Sequence, residues 1–277
     1  MDALRPYAAA FSSRFLLMMQ YRAAALAGFF TQCWFGAVHV MVLAAFYLGA
    51  PEAAAASPIS LSQAVTYTWL AQGLLAVMPW VGDPEIADGV RTGAISYDRL
   101  RPVDPYALWY VRAAGWMTAR LAPRVALMIL AAGIVLPLIG QGQWAWRPPA
   151  SLSAALLFAL SEALAIALAC AIIMLINIVV VATLNARGVN ILMQPLVIVF
   201  TGNLLPLALY PDNLRTFLFV QPFAGTLDIP NRIYFGALAG QMAWVGIGLQ
   251  LFWITTLVTL GRWWLGRVMA RLEVQGG

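Results

Sequence analysis

The chain has 277 residues, of which 62% are apolar and only 10% are charged, and its mean hydropathy is +0.82. A soluble domain usually has about a quarter charged residues, so this composition excludes a water-soluble globular protein and indicates a chain surrounded largely by lipid. All 16 basic residues are Arg, which excludes a phosphate-binding loop or a Schiff base that depends on Lys.

Residues 5–21, at the start of the chain, have the pattern of an amphipathic helix. Phe11, Phe15 and Met18 recur at helical spacing, whereas Arg14 lies elsewhere on the helical wheel. We expect a helix that lies in the inner interface of a membrane. A simple extension of the first membrane span is the alternative.

Six apolar stretches are each long enough for a helix of about 20 residues that crosses a bilayer. Trimmed by flanking Pro and Gly, the predicted spans are roughly 23–48, 62–82, 122–140, 151–176, 189–209 and 238–261. The sequence therefore predicts an all-α integral membrane protein with a single transmembrane domain over residues 1–277. No removable signal peptide is expected, because no small-residue cleavage site follows a short apolar core.

The segment 83–105, between spans two and three, is the longest polar stretch. Asp83 suits a helix N-cap, Pro84 the first turn and Gly93 the end of a short helix. Ile86 and Val90 are four residues apart and predict a small apolar edge. A solvated connecting loop without a partner is the alternative, although a hairpin connection needs only a few residues.

Residues 106–124 place one Trp among three Arg at steps of four residues: Arg112, Trp116, Arg120 and Arg124. Such a row lies on one helix face, where Arg stems reach the headgroups and Trp rings lie at their depth. We expect this row to anchor the inner end of span three, which would be tilted along the interface.

The segment 210–237 is too apolar for a free loop and is interrupted by Pro211, Pro222 and Pro230. Short helices that dip back into the outer leaflet fit this pattern. Irregular backbone at membrane depth is tolerated where protein covers it, so the segment should pack on the spans.

The Arg residues indicate the orientation. With the N-terminus in the cytoplasm, 13 of the 16 Arg lie inside and only Arg147, Arg215 and Arg232 lie outside, as the positive-inside rule requires. The net charge of +5 therefore reflects topology and contact with anionic membrane lipids rather than binding of nucleic acid. Both termini are expected in the cytoplasm.

Several short sequences in a fixed order resemble the ABC-2 type permease subunits of ATP-binding-cassette transporters, in the branch with a stand-alone six-span permease. These sequences are Tyr21-Arg22-Ala23, Glu85-Ile86 through Gly93, Leu100-Arg101-Pro102-Val103, Thr201-Gly202-Asn203, Leu205-Pro206-Leu207, Tyr210-Pro211, Gln221-Pro222-Phe223, Ile229-Pro230 and Gly236. The resemblance covers nearly the whole chain.

The resemblance implies a transporter of two permease subunits and two separate ATPase subunits, which bind ATP and Mg, in the bacterial plasma (inner) membrane. The segment 83–105 would be the coupling segment that docks on the ATPase. Its residues would be Asp83, Glu85, Ile86, Asp88, Val90, Arg91, Gly93, Leu100, Arg101 and Pro102. The outer re-entrant pieces would close the pathway through Gly202, Asn203, Pro206, Pro222, Phe223 and Pro230.

The residues themselves agree with a permease that is not an enzyme. No G-x-x-x-x-G-K-[ST] sequence occurs, so the energy for transport must come from a partner or from an ion gradient. No Ser/His/Asp, Cys/His or paired-carboxylate arrangement predicts catalysis. With one His and two Cys, the usual four-ligand zinc site is also excluded, and we expect no metal.

Two ionisable residues lie inside predicted spans and are candidate functional residues by default. They are Glu162 in span four and His39 in span one, and a purely structural role is open for both. The leading interpretation is an ABC exporter of a hydrophobic or amphipathic molecule that works by alternating access. The alternatives are an ion-coupled secondary transporter or channel that uses Glu162, and a non-transport membrane enzyme or assembly factor.

The small residues of span one suggest how subunits assemble. Gly28, Gly36, Ala44 and Ala45 form a face that permits close helix approach. We expect a homodimer, since twofold symmetry is the commonest arrangement of oligomers. A heterodimer with a related permease stays open.

Overall fold

The computed structural model describes residues 4–99 and 102–271, and this part of the chain is helical without strands. The helices are α1 (Arg5–Met19), α2 (Arg22–Gly49), α3 (Pro51–Ala55), α4 (Leu61–Leu74), α5 (Pro84–Thr92), α6 (Pro105–Met128), α7 (Leu136–Leu138), α8 (Leu152–Thr183), α9 (Ala186–Phe200), α10 (Asp212–Val220), α11 (Asp228–Tyr234) and α12 (Gln241–Arg271). Short 3₁₀ segments lie at Leu75–Val77, Ala94–Arg99, Gly142–Trp144, Leu207–Leu209 and Pro222–Thr226. The all-α class predicted from composition is confirmed.

Four helical stretches in the described residues are long and apolar enough to cross a membrane. They are Ala25–Gly49, Pro105–Leu138, Leu152–Thr183 and Gln241–Arg271. The 32 residues of α8 extend for about 48 Å at 1.5 Å per residue, which exceeds a hydrocarbon core of about 30 Å. These stretches overlap the predicted spans one, three, four and six.

The second of these stretches, Pro105–Leu138, is longer than the predicted span three. Residues 106–124 do not form a separate tilted end, because α6 continues through a π-helical segment at Ile129–Val135 into α7. The row of residues 112–124 therefore lies well inside one helical stretch of 34 residues, Pro105–Leu138.

The second predicted span, 62–82, is shorter in the structure than expected. Helix α4 ends at Leu74, a 3₁₀ turn follows at Leu75–Val77, and residues 78–83 are non-helical. Every residue of α4 from Ala64 to Leu74 is buried. Because protein surrounds α4 and the buried residues 76–79 beyond it, irregular backbone is tolerated there.

The fifth predicted span, 189–209, also ends early. Helix α9 has 15 residues and stops at Phe200. Gly202 follows with φ +87°, and a Cβ at this position would lie 2.3 Å from the Tyr67 hydroxyl oxygen. The chain turns at Gly202 because only Gly combines this left-handed backbone with so close an approach.

The centre of the bundle is formed by α4 and α8. Helix α8 packs against α12 and α6, α4 against α2 and α6, and α1 against α6. Gly36 of α2 meets the Trp69 ring of α4, where an added Cβ would lie 2.6 Å from it. Gly36 and the buried Ala44 therefore serve close helix packing within the chain, whereas Ala45 of the same predicted face is exposed.

Candidate functional site

The short helix predicted after span two is present as α5, and its ends have the predicted residues. The Asp83 side chain accepts a hydrogen bond from the Glu85 backbone N–H at 2.9 Å, and Pro84 occupies the first turn. Gly93 follows Thr92 in the left-handed conformation, with φ +76°. The predicted N-cap and C-terminal Gly are confirmed, and they define α5 independently of its contacts.

The start of α5 is held by two arginines from other helices. Arg14 of α1 lies 3.2 Å from one Asp83 carboxylate oxygen, and Arg112 of α6 lies 3.7 Å from the other. Both guanidinium groups also pair with Glu85. Arg112, which the sequence predicted as a membrane anchor, thus joins α6 to α5.

Two amides fix the backbone just before α5. The Asn177 side-chain oxygen of α8 accepts from the Asp83 N–H at 2.8 Å, and the Asn190 side-chain oxygen of α9 accepts from the Gly82 N–H at 3.2 Å. Helix α5 is therefore tied at its N-terminus to four others, α1, α6, α8 and α9. A displacement of α5 must be transmitted to these helices or break these bonds.

The Asp83 carboxyl is buried, and burial raises its pKa above the ordinary value. The positive charges of Arg112 and Arg14 oppose this shift. Burial dominates because the charged form loses its hydration.

The apolar edge of α5 faces into the protein. Ile86 is only 2% exposed and belongs to a core cluster with Trp109 and Met174, while Val90 is half-buried against the same cluster. The small apolar edge predicted at Ile86 and Val90 is therefore present but packed inside the protein, so it is not available to fill a groove in a partner. The helical period predicted the edge correctly, but the direction in which it points is set by α6, α8 and α12.

The face of α5 that is free to meet a partner is polar. Asp88 and Arg91 are 68% and 77% exposed and pair with each other at 3.2 Å. Tyr97 in the following 3₁₀ segment is 66% exposed. Pro102 is exposed as well, whereas Leu100 and Arg101 of the predicted coupling set lie outside the described residues.

At the opposite end of the bundle, a fully buried carboxylate connects the segment 210–237 to α4. Asp228 accepts from the Leu207 N–H at 3.1 Å and from the Tyr67 hydroxyl at 3.3 Å, and Arg232 lies 3.4 Å away. Burial raises the pKa of Asp228, while Arg232 and these hydrogen bonds oppose the shift. The prediction that this segment packs on the spans is confirmed.

The predicted gate residues 202–206 lie beside this network. Asn203, Pro206 and His39 line one cavity of about 60 Å³ with Tyr67. The structure therefore brings His39 of span one together with two of the predicted gate residues. Glu162 does not line this cavity.

The remaining predicted gate residues, Pro222, Phe223 and Pro230, lie further along the same segment, and Pro222 and Phe223 are half-buried. The Phe223 ring lies 6.4 Å from that of Phe200, and Pro230 is buried in α11. Pro222 begins the 3₁₀ segment Pro222–Thr226, where the Gly225 carbonyl accepts from the Gln250 side chain of α12 at 2.7 Å.

Glu162 is buried in α8, 9% exposed, and neither carboxylate oxygen has a hydrogen-bond partner among the described residues. Within 4–99 and 102–271, no group of three or more His, Cys, Asp or Glu side chains is arranged to hold a metal ion.

Sequence reasoning missed four residues of these sites. Arg14 and Tyr67 pair with residues far along the chain, and nothing in their local sequence indicates it. Asp228 and Arg232 are four residues apart, a spacing that favours an ion pair on a helix and provides a usable signal.

The comparisons with known proteins give one match. No curated protein and no solved structure matches the chain. Residues 37–276 match the family described as ABC-2 family transporter protein. The match covers most of the chain and includes α5, α8, α9, α11 and α12, and the chain therefore belongs to the ABC-2 family of transporter proteins.

Proposed function

We propose that this chain is the permease subunit of an ABC exporter that moves a hydrophobic or amphipathic molecule by alternating access. ATP hydrolysis takes place on two separate ATPase subunits that dock on α5 and the 3₁₀ segment after it. A second permease copy, identical or related, completes the pathway. Family membership supports the ABC assignment, and the attachment of α5 supports the mechanism.

The observation that carries the proposal is that one face of α5 is exposed while its N-terminus is attached to four other helices. Its exposed face bears Asp88 and Arg91, and its N-terminus is tied to α1, α6, α8 and α9 through Asp83, Glu85 and two amides. A force on the exposed face of α5 is therefore transmitted to four helices. This is the arrangement that energy transfer from a cytoplasmic ATPase requires.

We further propose that α4 and α9, although short, complete six membrane passages in the bacterial inner membrane, with both termini and α5 in the cytoplasm. The strong Arg asymmetry supports this orientation. The exposed apolar side chains of α2, such as Phe30 and Trp34, both about 70% exposed, supply the surface for lipid and for the second permease copy.

The docking of an ATPase on α5 can be tested with two matched ion pairs. The variant Asp88→Arg/Arg91→Glu reverses the exposed pair on α5, and Asp212→Arg/Arg215→Glu reverses the exposed pair at the start of α10, which has the same spacing. Tagged protein is purified from its native membrane, and co-purifying Mg-ATPase activity and P-loop proteins are measured. We expect the first variant to lose most of this activity and the second to retain it. Equal retention by both variants contradicts docking at α5.

The orientation can be tested by labelling single cysteines in intact cells, with Cys33 and Cys170 replaced by Ala. Cysteines at Glu52 and Asp212 should react with an impermeant thiol reagent, whereas one at Arg91 should react only after permeabilisation. All three positions are exposed. Labelling of position 91 in intact cells would place α5 outside and end the proposal.

The source of energy can be tested at Glu162. An ABC permease should keep its ATP-driven transport in Glu162→Gln, because the neutral side chain preserves shape. An ion-coupled carrier that uses this carboxylate should lose transport in the same variant.

A further inference from the structure

A cavity of about 430 Å³ lies between α1, α2 and α6. Most of its wall is apolar and includes Met18, Leu26 and Leu127. Two half-buried arginines of α6, Arg120 and Arg124, complete it. The cavity thus combines an apolar groove with two positive charges.

Neither arginine has a carboxylate partner among the described residues. The Arg120 guanidinium carbon lies 4.7 Å above the Trp116 ring centroid. With the Gln32 amide nitrogen donating to the Gln72 carbonyl, the Gln32 oxygen accepts from Arg124 at 3.0 Å. These contacts orient the two groups but leave both charges uncompensated. Arg112, in the same row of α6, is by contrast paired with Asp83 and Glu85.

The depth of these arginines along α6 indicates what could neutralise them. Arg120 and Arg124 precede Leu138, the end of the helical stretch, by 18 and 14 residues, or about 27 and 21 Å at 1.5 Å per residue. With Leu138 at one face of a hydrocarbon core about 30 Å thick, Arg120 lies about 3 Å and Arg124 about 9 Å inside the other face, from where their long side chains reach towards the headgroups. An unpaired guanidinium at this depth is costly, and a phosphate group is its best-fitting partner.

We propose that this cavity binds one acidic phospholipid from the leaflet on the α5 side. Its phosphate is held by Arg120 and Arg124, and an acyl chain lies along Met18, Leu26 and Leu127. The apolar wall favours a lipid over a soluble anion, and the two charges favour an acidic over a zwitterionic headgroup. Because the site joins α1 to α2 and α6, a bound lipid stabilises α1 against the bundle. This inference depends on membrane insertion and not on the proposed transport.

The test measures lipid bound to the purified full-length protein by native mass spectrometry in an uncharged detergent. Phosphatidylglycerol and phosphatidylcholine with the same acyl chains are titrated in parallel. Both lipids carry the phosphate, but the choline cation of phosphatidylcholine cancels its negative charge, whereas phosphatidylglycerol keeps a net charge of −1. At about 1 kcal/mol per arginine, we expect one phosphatidylglycerol per chain to bind at least about tenfold more tightly than phosphatidylcholine. Equal binding of the two lipids overturns the proposal.

Variants locate the site. Arg120→Gln/Arg124→Gln should reduce phosphatidylglycerol affinity about tenfold, and Arg120→Lys/Arg124→Lys should restore part of it. Arg267→Gln is the matched control, because Arg267 also stacks on a Trp ring, at 4.1 Å from Trp263, and does not line the cavity. Equal losses in the control and in the Gln variant overturn the proposal.

Two further measurements test whether the site binds a soluble anion instead and whether the double variant is folded. Inorganic phosphate and glycerol phosphate should not displace the lipid at equal concentration, and displacement would show a soluble-anion site instead. If the double Gln variant does not purify as a monodisperse protein, the proposal is tested with the single variants Arg120→Gln and Arg124→Gln and with the lipid preference of the unmodified chain.

Discussion

The two ends of the bundle place an aspartate at the start of a short helix in different surroundings. Asp83 caps α5 next to the half-exposed Glu85, and both carboxylates are held by arginines from neighbouring helices. Asp228 begins α11 fully buried and is bonded to Tyr67, the Leu207 N–H and Arg232. The Glu85 ion pairs reach solvent and can break and reform at small cost, whereas the buried network of Asp228 resists any change in its members.

This difference between the surroundings of Asp83 and Asp228 suits different functions for the two ends of the bundle. The contacts of Glu85 with Arg14 and Arg112 can rearrange while the buried Asp83 and the core beneath Ile86 stay in place. The contacts of Asp228 hold residues 202–207 and 228–232 in one arrangement against α4. The α5 end is therefore the adaptable one, and the α11 end is the fixed one.

The largest effect is expected from Asp228→Ala. This change leaves the Tyr67 hydroxyl, the Leu207 N–H and the Arg232 charge without their buried partner, which typically costs about 3 kcal/mol or more. Unfolding of the purified protein in detergent measures this loss. Asp212→Ala, which removes an 88% exposed carboxylate, is the control. Equal stability of the two variants would show that the buried network contributes little.

The second effect, in order of size, is expected from Ile86→Ala. Removing a buried Ile side chain should lower the free energy of unfolding by about 2–3 kcal/mol. Tyr97→Ala, on the exposed side of the same segment, should leave stability nearly unchanged. A larger loss of stability in Tyr97→Ala than in Ile86→Ala would mean that the apolar edge of α5 is not packed in the core.

The local features of α5 could be read from the sequence, because Asp83, Pro84 and Gly93 specify helix ends through their own backbone preferences. The direction of Ile86 and the pairing of Glu85 with Arg14 could not, since they depend on residues that only the fold brings near. The same limit explains the two overestimated spans. Hydropathy measures how apolar a stretch is, whereas the early ends of α4 and α9 depend on burial by neighbouring helices and on Gly202.

The third prediction concerns pH and compares the two aspartates. Burial raises the pKa of Asp83 in the folded protein, so the folded state binds a proton more readily than the unfolded state. Protonation of Asp83 therefore raises the free energy of unfolding as the pH is lowered from 7 towards 4. This contribution is lost when the pH rises through the pKa of Asp83 in the folded protein. Asp83→Asn should remove this contribution, and the difference in Tm between unmodified protein and variant should shift in favour of the unmodified protein at low pH.

Asp228→Asn should change the pH dependence with the same sign, since burial also raises the pKa of Asp228. The two variants differ in the partners that oppose the shift, Arg112 and Arg14 for Asp83 but mainly Arg232 for Asp228. Thermal unfolding at several pH values measures both. A Tm difference that moves in favour of the variant on acidification contradicts the assigned dominance of burial.

The smallest change in stability is expected from Glu85→Gln. The Glu85 side chain is half-exposed, and pairs of this kind contribute about 0–1 kcal/mol, so unfolding should hardly shift. The variant nevertheless removes one of the two carboxylates that join α5 to Arg14 and Arg112. Amide hydrogen exchange should therefore become faster in residues 84–92 and stay unchanged in residues 228–234. If the Glu85 pairs hold only α5, their loss frees α5 and leaves the Asp228 network unchanged. Faster exchange in both segments, or in neither, would therefore mean that the two ends of the bundle do not differ in adaptability.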